Sequence, residues 1–155
     1  MSGSSRQIGQ GSNKESANSL VSMPSHRRNR SLESRNYGVL IEKGRKLYQG
    51  GQMAGAIPVL ERGLYYDPSS VELNHMLAMA HLELNSPARA LPFLNRLARQ
   101  SPVPPKLYLL LAITHRKLND PSAALRAINQ HLANETDAEG LFMRAKLRYE
   151  AVSYA

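Results

Sequence analysis

The stretch that decides the fold is residues 71–104, VELNHMLAMAHLELNSPARALPFLNRLARQSPVP, because its small and apolar residues recur 34 positions earlier and later. Four sets of equivalent positions keep this spacing: Gly44, Ala78 and Ala112; Ala56, Ala90 and Ala124; Leu60, Leu94 and Ile128; Pro68 and Pro102. Self-similarity at such a period is typical of stacked copies of one supersecondary unit. Because one unit cannot bury its apolar face alone, the period predicts a stacked array with a binding surface, and not an enzyme pocket.

The pattern resembles the tetratricopeptide repeat, a helix–turn–helix unit. Both have a small residue early in the unit, an Ala twelve positions later, a large apolar residue four beyond it and a closing Pro. The resemblance implies an all-α fold, a right-handed helical solenoid of antiparallel helix pairs. Three units and the first helix of a fourth are expected at 37–70, 71–104, 105–137 and 138–155. The usual Tyr at the eleventh position is replaced by Leu47, His81, His115 and Arg148.

Apolar spacing and helix-breaking residues predict the helices. The first helices are expected at 37–49, 71–84, 105–118 and 138–150, and the second helices at 53–66, 87–100 and 121–133. Ser86 and Asp120 each precede a proline and are predicted N-caps. Pro58 and Pro92 are expected in first turns, where a missing N–H costs little. Gly44 is expected at a helix seam where a larger side chain would overpack.

Composition and charge restrict the class of protein. The chain has no Cys, which excludes disulfides, thiolate metal sites and a Cys nucleophile. No apolar stretch approaches the ~18 residues of a membrane span, and no apolar signal core begins the sequence, so a cytoplasmic location is expected, with a nuclear or a mitochondrial location as open alternatives. The net charge is +8. Residues 1–36 are rich in Ser, Asn, Gly and Arg and poor in large apolar residues, so a disordered basic tail is predicted there.

The tail contains a basic cluster formed by Arg27, Arg28 and Arg30. Arg three and four positions before Ser31 suits a basophilic kinase, which makes Ser31 a candidate phosphorylation site. A phosphate there would lower the local positive charge by about 1.5 to 2 units. The same cluster would bind RNA or another acidic surface only through non-specific electrostatics.

The family resemblance also implies a binding groove. In tetratricopeptide arrays the first helices line a concave groove, which the second, fifth, ninth, twelfth and thirteenth positions of each unit face. The implied groove residues are Ile41, Arg45, Tyr48, His75, Met79, Leu109, Ile113, Arg116, Phe142, Lys146 and Tyr149. An apolar floor with Arg and Lys around it suits an amphipathic helix or an extended peptide. Leu109 and Ile113 lie on a helix that is apolar on every side, so array curvature, the tail or a partner segment is expected to cover them.

Two kinds of known site are not indicated. Co-chaperone members of the family grip the C-terminal carboxylate of heat-shock proteins with a Lys/Asn/Asn/Lys/Arg clamp. The matching positions are Ile41, Arg45, Met76, Lys106 and Leu110, of which only Lys106 fits. Catalytic motifs, a phosphate-binding loop and the i,i+4 His pair of a helical metal site are missing from the sequence. We therefore predict no enzyme, no cofactor and no metal, and interpret His81 and His115 as core residues.

The sequence favours a non-catalytic adaptor that binds an apolar or amphipathic segment of a protein or peptide partner. Two alternatives stay open: a scaffold subunit of a larger complex whose groove holds its own tail or a neighbour, and an electrostatic tether to RNA or an acidic surface. The last helix carries an apolar stripe: Ala138, Leu141, Phe142, Ala145, Tyr149 and Val152. That stripe suits either a capping helix or a longer array that is cut short, because Ser153–Ala155 resembles the start of another second helix.

Overall fold

The computed structural model describes residues 25–153, with side chains from residue 35 onward. This range is built of helices and holds no strand. The helices are α1 (Ser25–Gln49), α2 (Met53–Tyr66), α3 (Val71–Glu83), α4 (Pro87–Leu97), α5 (Leu107–Lys117), α6 (Pro121–Asn134) and α7 (Ala138–Ser153). From α2 onward each helix packs against the next one along the chain, as expected for stacked helix pairs.

The first helix begins well before the predicted position. It starts at Ser25, so residues 25–36 are helical where a disordered tail was expected. Neither Pro nor Gly lies between Ser25 and Tyr37, and four of the residues 25–36 are Arg, which is a good helix former. Such residues extend an existing helix at little cost. The described residues divide into two units after Asn36, and residues 1–24 and 154–155 lie outside the described range. The side chains of the basic cluster and Ser31 also lie outside it.

The connection between α4 and α5 is longer than the sequence indicates. Helix α4 ends at Leu97, three residues early, and α5 begins at Leu107, two residues late. The connection contains Pro102, Pro104 and Pro105, and a residue that precedes a proline is biased away from the helical conformation. Lys106 then adopts a left-handed conformation with φ of 57° as the N-cap of α5.

Two expectations about helix N-termini differ in outcome. Asp120 caps α6 as predicted, since its side chain accepts a hydrogen bond from the Ala123 N–H at 2.9 Å. Ser86 occupies the N-cap position of α4 but accepts no capping bond. Its hydroxyl instead donates to the Leu84 carbonyl oxygen at 3.3 Å. The prediction is right for Asp120, and for Ser86 it is right in position only.

Pro58 and Pro92 do not lie in first turns as predicted. Each is the sixth residue of its helix, where an N–H normally donates to the carbonyl four residues earlier. The unpaired carbonyls belong to Ala54 and Ala88, and both residues are exposed. Water can therefore bond to these carbonyls, which explains how the helices tolerate an interior proline.

The repeated small and large residues form the core. A Cβ atom added to Gly44 would lie 2.5 Å from Leu60 Cδ2, so α1 and α2 approach closely there. In the next units Ala78 packs in one cluster with Leu94, and Ala112 in another with Ile128. These four side chains are fully buried. The small residue of each first helix thus faces the large residue of its own second helix, as the register predicts.

His81 is a packing residue, in agreement with the sequence interpretation. Its side chain is 4% exposed and stacks on the Phe93 ring with 5.7 Å between centroids. Burial lowers the pKa of His81, the Glu61 carboxylate opposes this in part, and the charge of Arg89 lowers the pKa further. The imidazole is therefore neutral in the folded protein near pH 7.

Candidate peptide-binding face

The predicted groove positions lie on adjoining first helices. We call them the first-helix face, which consists of the groove positions of α1, α3, α5 and α7. Arg45 of α1 donates from Nη2 to Glu72 Oε1 of α3 at 2.6 Å and from Nε to the same oxygen at 3.0 Å. Arg116 Nη1 of α5 lies 3.5 Å from Glu150 Oε1 of α7. These contacts place groove positions of α1 beside those of α3, and groove positions of α5 beside those of α7.

The ion pairs change the electrostatic character of this face. Arg45 also contacts Glu42 at 3.0 Å, so two carboxylates engage one guanidinium. The hydrogen bond that Arg45 donates to Glu72 raises the pKa of Arg45 above its ordinary value, and the residue stays a cation. Exposed pairs of this kind contribute little to stability. Their main effect is to neutralise Arg45, one of the bases that the sequence alone places around the groove.

Apolar side chains form the floor beneath these pairs. Ile41 and Tyr48 are partly buried and pack against the core between α1, α2 and α3. Burial raises the pKa of Tyr48, and the nearby Glu83 carboxylate acts in the same direction. Met79 and Ile113 are partly buried, which leaves part of each side chain open to contact. His75 is exposed beside this floor.

Leu109 is not available to a partner. It is 3% exposed and lies in a cluster with Ala112, Ile128 and Leu147. The cover that the sequence requires for this helix therefore comes from α7 of the same chain. Leu147 belongs to the next unit, so the apolar pattern of α5 alone does not reveal that this residue covers Leu109.

The last helix offers the most open apolar surface of the face. Phe142 is 70% exposed and Tyr149 is 75% exposed. Lys146 lies between them in the sequence and is also exposed. Aromatic side chains bury a large area at interfaces, so these two rings are the strongest candidates for anchoring contacts.

The pairing of charges was not predicted from the sequence, although a signal exists. Bases and acids occupy groove positions in neighbouring units, so each can reach the other across one helix seam. Lys106 Nζ of α5 and Glu139 Oε2 of α7 are a third example, at 3.6 Å. Sequence spacing alone does not say whether such side chains turn to each other or to a ligand.

The described part of the chain contains no group of three His, Asp or Glu residues that could hold a metal ion. Across the same residues, none of the helices is both long and apolar enough to cross a membrane.

Comparison with known proteins identifies the repeat. Residues 47–108 match the tetratricopeptide repeat family. The first TPR of Spaghetti (RPAP3) bound to the HSP90 peptide SRMEEVD is similar, with a TM-score of 0.66 and 24% identity over 77% of this chain and 95% of that chain. The first TPR domain of human RPAP3 gives a TM-score of 0.64 and 24% identity, over 76% and 93% of the two chains. The N-terminal domain of stress-induced protein-1 (STI-1) from C. elegans gives 0.62 and 18%, over 73% and 97%.

No curated protein sequence matches this chain significantly. Residues 47–108 belong to the tetratricopeptide repeat family, and the described helices have the fold of a tetratricopeptide solenoid. The predicted all-α fold class is confirmed.

Proposed function

We propose that this protein is a non-catalytic protein–protein interaction adaptor that binds an apolar or amphipathic peptide segment on its first-helix face. The observation that carries the proposal is the combination of partly open apolar floor residues with the exposed rings of Phe142 and Tyr149. Three bases of the rim, Arg45, Lys106 and Arg116, are already paired with carboxylates, so apolar burial supplies most of the affinity.

The energetics favour a few anchors. Covering an aromatic side chain as exposed as Tyr149 contributes roughly 1.5 to 3 kcal/mol. Two such rings, with shallower contacts to Met79 and Ile113, would account for most of the binding free energy, because hot spots dominate interfaces of this kind. Part of that gain is offset by the entropy lost when the peptide becomes ordered.

The type of ligand differs from the one in the Spaghetti structure. That domain is bound to an HSP90 peptide, and co-chaperone clamps bind a terminal carboxylate with polar side chains. Here Ile41, Met76 and Leu110 place apolar groups at three clamp positions, and Met76 is buried. Arg45 is held by Glu72, and Lys106 lies 3.6 Å from Glu139. We therefore expect an internal peptide segment and not a free C-terminus.

The test is a selection of peptides from a random display library on the full chain, followed by calorimetry of the enriched peptides. The double variant Phe142→Ser, Tyr149→Ser should weaken binding by at least about tenfold, since it removes two anchors. Tyr65→Ser is the matched control, because Tyr65 is 82% exposed but lies on the second helix α2. Equal binding by the double variant and the control would refute the proposal, and so would enrichment of peptides that need a free carboxyl end.

Two of the alternative hypotheses depend on the N-terminal tail. One is the electrostatic tether, and the other is the scaffold subunit whose groove holds its own tail. Most side chains of that tail lie outside the described residues.

A further inference from the structure

A cavity of about 360 Å³ lies in the groove between the second helices α4 and α6. Its lining includes Asn95 of α4, Tyr108 and His115 of α5, and Arg126, Ala127 and Gln130 of α6. The two α5 residues are partly buried and form its floor, whereas Asn95, Arg126 and Gln130 are exposed and form its rim. We call it the α4–α6 cavity. None of its lining residues belongs to the first-helix face, so it is a separate surface of the molecule.

The equivalent groove of the preceding unit is filled by an aromatic ring. Phe93 of α4 packs there against the core between α2 and α3 and stacks on His81, with 10° between the ring planes. The repeat spacing of 34 takes Phe93 to Ala127 and His81 to His115. A methyl group therefore stands where the preceding unit has a phenyl ring. Since Ala127 and His115 both line the α4–α6 cavity, the cavity is the space that the missing ring would fill.

Both the size and the lining of the cavity suit an aromatic side chain. A protein cavity of ~150 Å³ is large enough to bind benzene, so about 360 Å³ accommodates a phenyl, phenol or indole ring. A ring beside Ala127 would stack on His115, as happens in the preceding unit. The side-chain amides of Asn95 and Gln130 at the rim offer hydrogen bonds to a phenol hydroxyl or an indole N–H. The cavity therefore fits the side chain of Phe, Tyr or Trp.

Another molecule has to supply this ring. Residues 1–36 contain no Phe, Tyr or Trp, so the tail of the chain has none to offer. A second copy exposes Phe142 and Tyr149, but each copy has a net charge of +8, and like charges disfavour association. Helices α4 and α6 themselves contain no acidic residue. An acidic partner protein would be attracted where a second copy is repelled.

The charges at the rim favour a peptide over a nucleic acid. Arg126 is exposed, and no carboxylate lies within 4.0 Å of it in the described part of the chain. Asp120 also lines the cavity and caps α6, about 9 Å along the helix axis before Arg126. A phosphate backbone would bring negative charge to both ends of the rim, and Asp120 would repel it. A peptide can place one Glu or Asp beside Arg126 and a neutral residue beside Asp120.

We propose that the α4–α6 cavity binds a Phe, Tyr or Trp side chain of an acidic partner protein, from a segment in which Glu or Asp flanks the aromatic residue. The ring occupies the space beside Ala127 and stacks on His115, and the flanking carboxylate pairs with Arg126. This site is independent of peptide binding on the first-helix face.

The experiment titrates the isotope-labelled full chain with short peptides and follows the backbone amide shifts by NMR. The first peptide has one Phe flanked by Glu, and two matched peptides replace the Phe by Ala or the Glu residues by Lys. We expect the first peptide to bind at least about tenfold more tightly than either, with the largest shifts around Asn95, His115 and Ala127. Equal affinities, shifts confined to the first-helix face, or tighter binding of an oligouridine in the cavity would overturn the proposal.

Ala127→Phe supplies the missing ring from the chain itself. It should fill the cavity without lowering the melting temperature and weaken binding of the Phe peptide at least about tenfold. Ala133→Phe is the matched control, since Ala133 is an exposed alanine of α6 that does not line the cavity. The double variant Phe142→Ser, Tyr149→Ser should also bind as the wild type does, which separates this site from the first-helix face. Unchanged binding by Ala127→Phe would contradict the proposal, as would self-association of the full chain that this variant abolishes.

Arg126→Glu tests the charge at the rim and leaves the cavity open. Because Arg126 is exposed, the variant should keep the wild-type melting temperature. Its preference should reverse, so that the peptide with Lys beside the Phe binds more tightly than the one with Glu. An unchanged preference for Glu would refute the assigned role of Arg126 and the acidic character of the partner segment.

Discussion

The helix seam at Gly44 gives the sharpest test of the repeat register. Gly44→Ala adds one methyl group that would lie 2.5 Å from Leu60 Cδ2 and 3.0 Å from Leu60 Cγ. Leu60 is fully buried, so it has little room to move. Overpacking of this kind costs about 1 to 3 kcal/mol, whereas replacing a helical Gly by Ala gains roughly 0.8 to 1 kcal/mol. The net expectation is a destabilisation of about 1 kcal/mol.

Gly38→Ala is the matched control on the same helix, because nothing lies within 4 Å of a Cβ atom there. It should show the propensity gain alone, a stabilisation of up to about 1 kcal/mol. Leu60→Ala should remove the clash. In that background Gly44→Ala is therefore expected to change sign and become stabilising. Urea denaturation followed by far-UV circular dichroism measures the free energies of unfolding of the wild type and of the four variants. If Gly44→Ala stabilised the wild-type protein as much as Gly38→Ala does, the proposed seam would be wrong.

Three further predictions concern particular contacts. The folded state holds the pKa of His81 below its ordinary value of 6.5, so the unfolded state binds the proton more readily. The free energy of unfolding should therefore fall as the pH drops below 6.5. In thermal melts, His81→Phe should lose less stability over this pH range than the wild type. Arg45→Ala should change the free energy of unfolding by less than about 1 kcal/mol, because its pair with Glu72 is exposed; a loss of several kcal/mol in urea titration would contradict this. Leu147→Ala should cost about 2 to 5 kcal/mol and uncover Leu109, with faster hydrogen exchange in α5 and α7.

The sequence predicts the helix pairs and the core because the fold repeats itself. One spacing specifies Gly44, Ala78 and Ala112 together, and each unit supports the assignment of the others. The ends of the helices are harder to predict than the helix pairs, because each end depends on the few residues around it. Pro58 is tolerated inside α2 because its surroundings are exposed, and α1 continues to Ser25 although the composition of that segment suggests a disordered tail.

The candidate site was harder to predict than the fold. Repeat positions placed Arg45 and Leu109 on the first-helix face, but they carry no information about which neighbour each side chain meets. Glu72 engages the first and Leu147 covers the second, and both partners come from the following unit. Contacts between units depend on how the helices pack together, and a one-dimensional pattern does not contain that geometry.

The central claim is that a peptide segment binds across the first-helix face. Hydrogen exchange of the full chain, with and without a peptide selected on it, measures this most directly. The account predicts slower exchange in the first helices, above all in α7 around Phe142 and Tyr149, and little change in α2, α4 and α6. Protection confined to α2, α4 and α6 would contradict it.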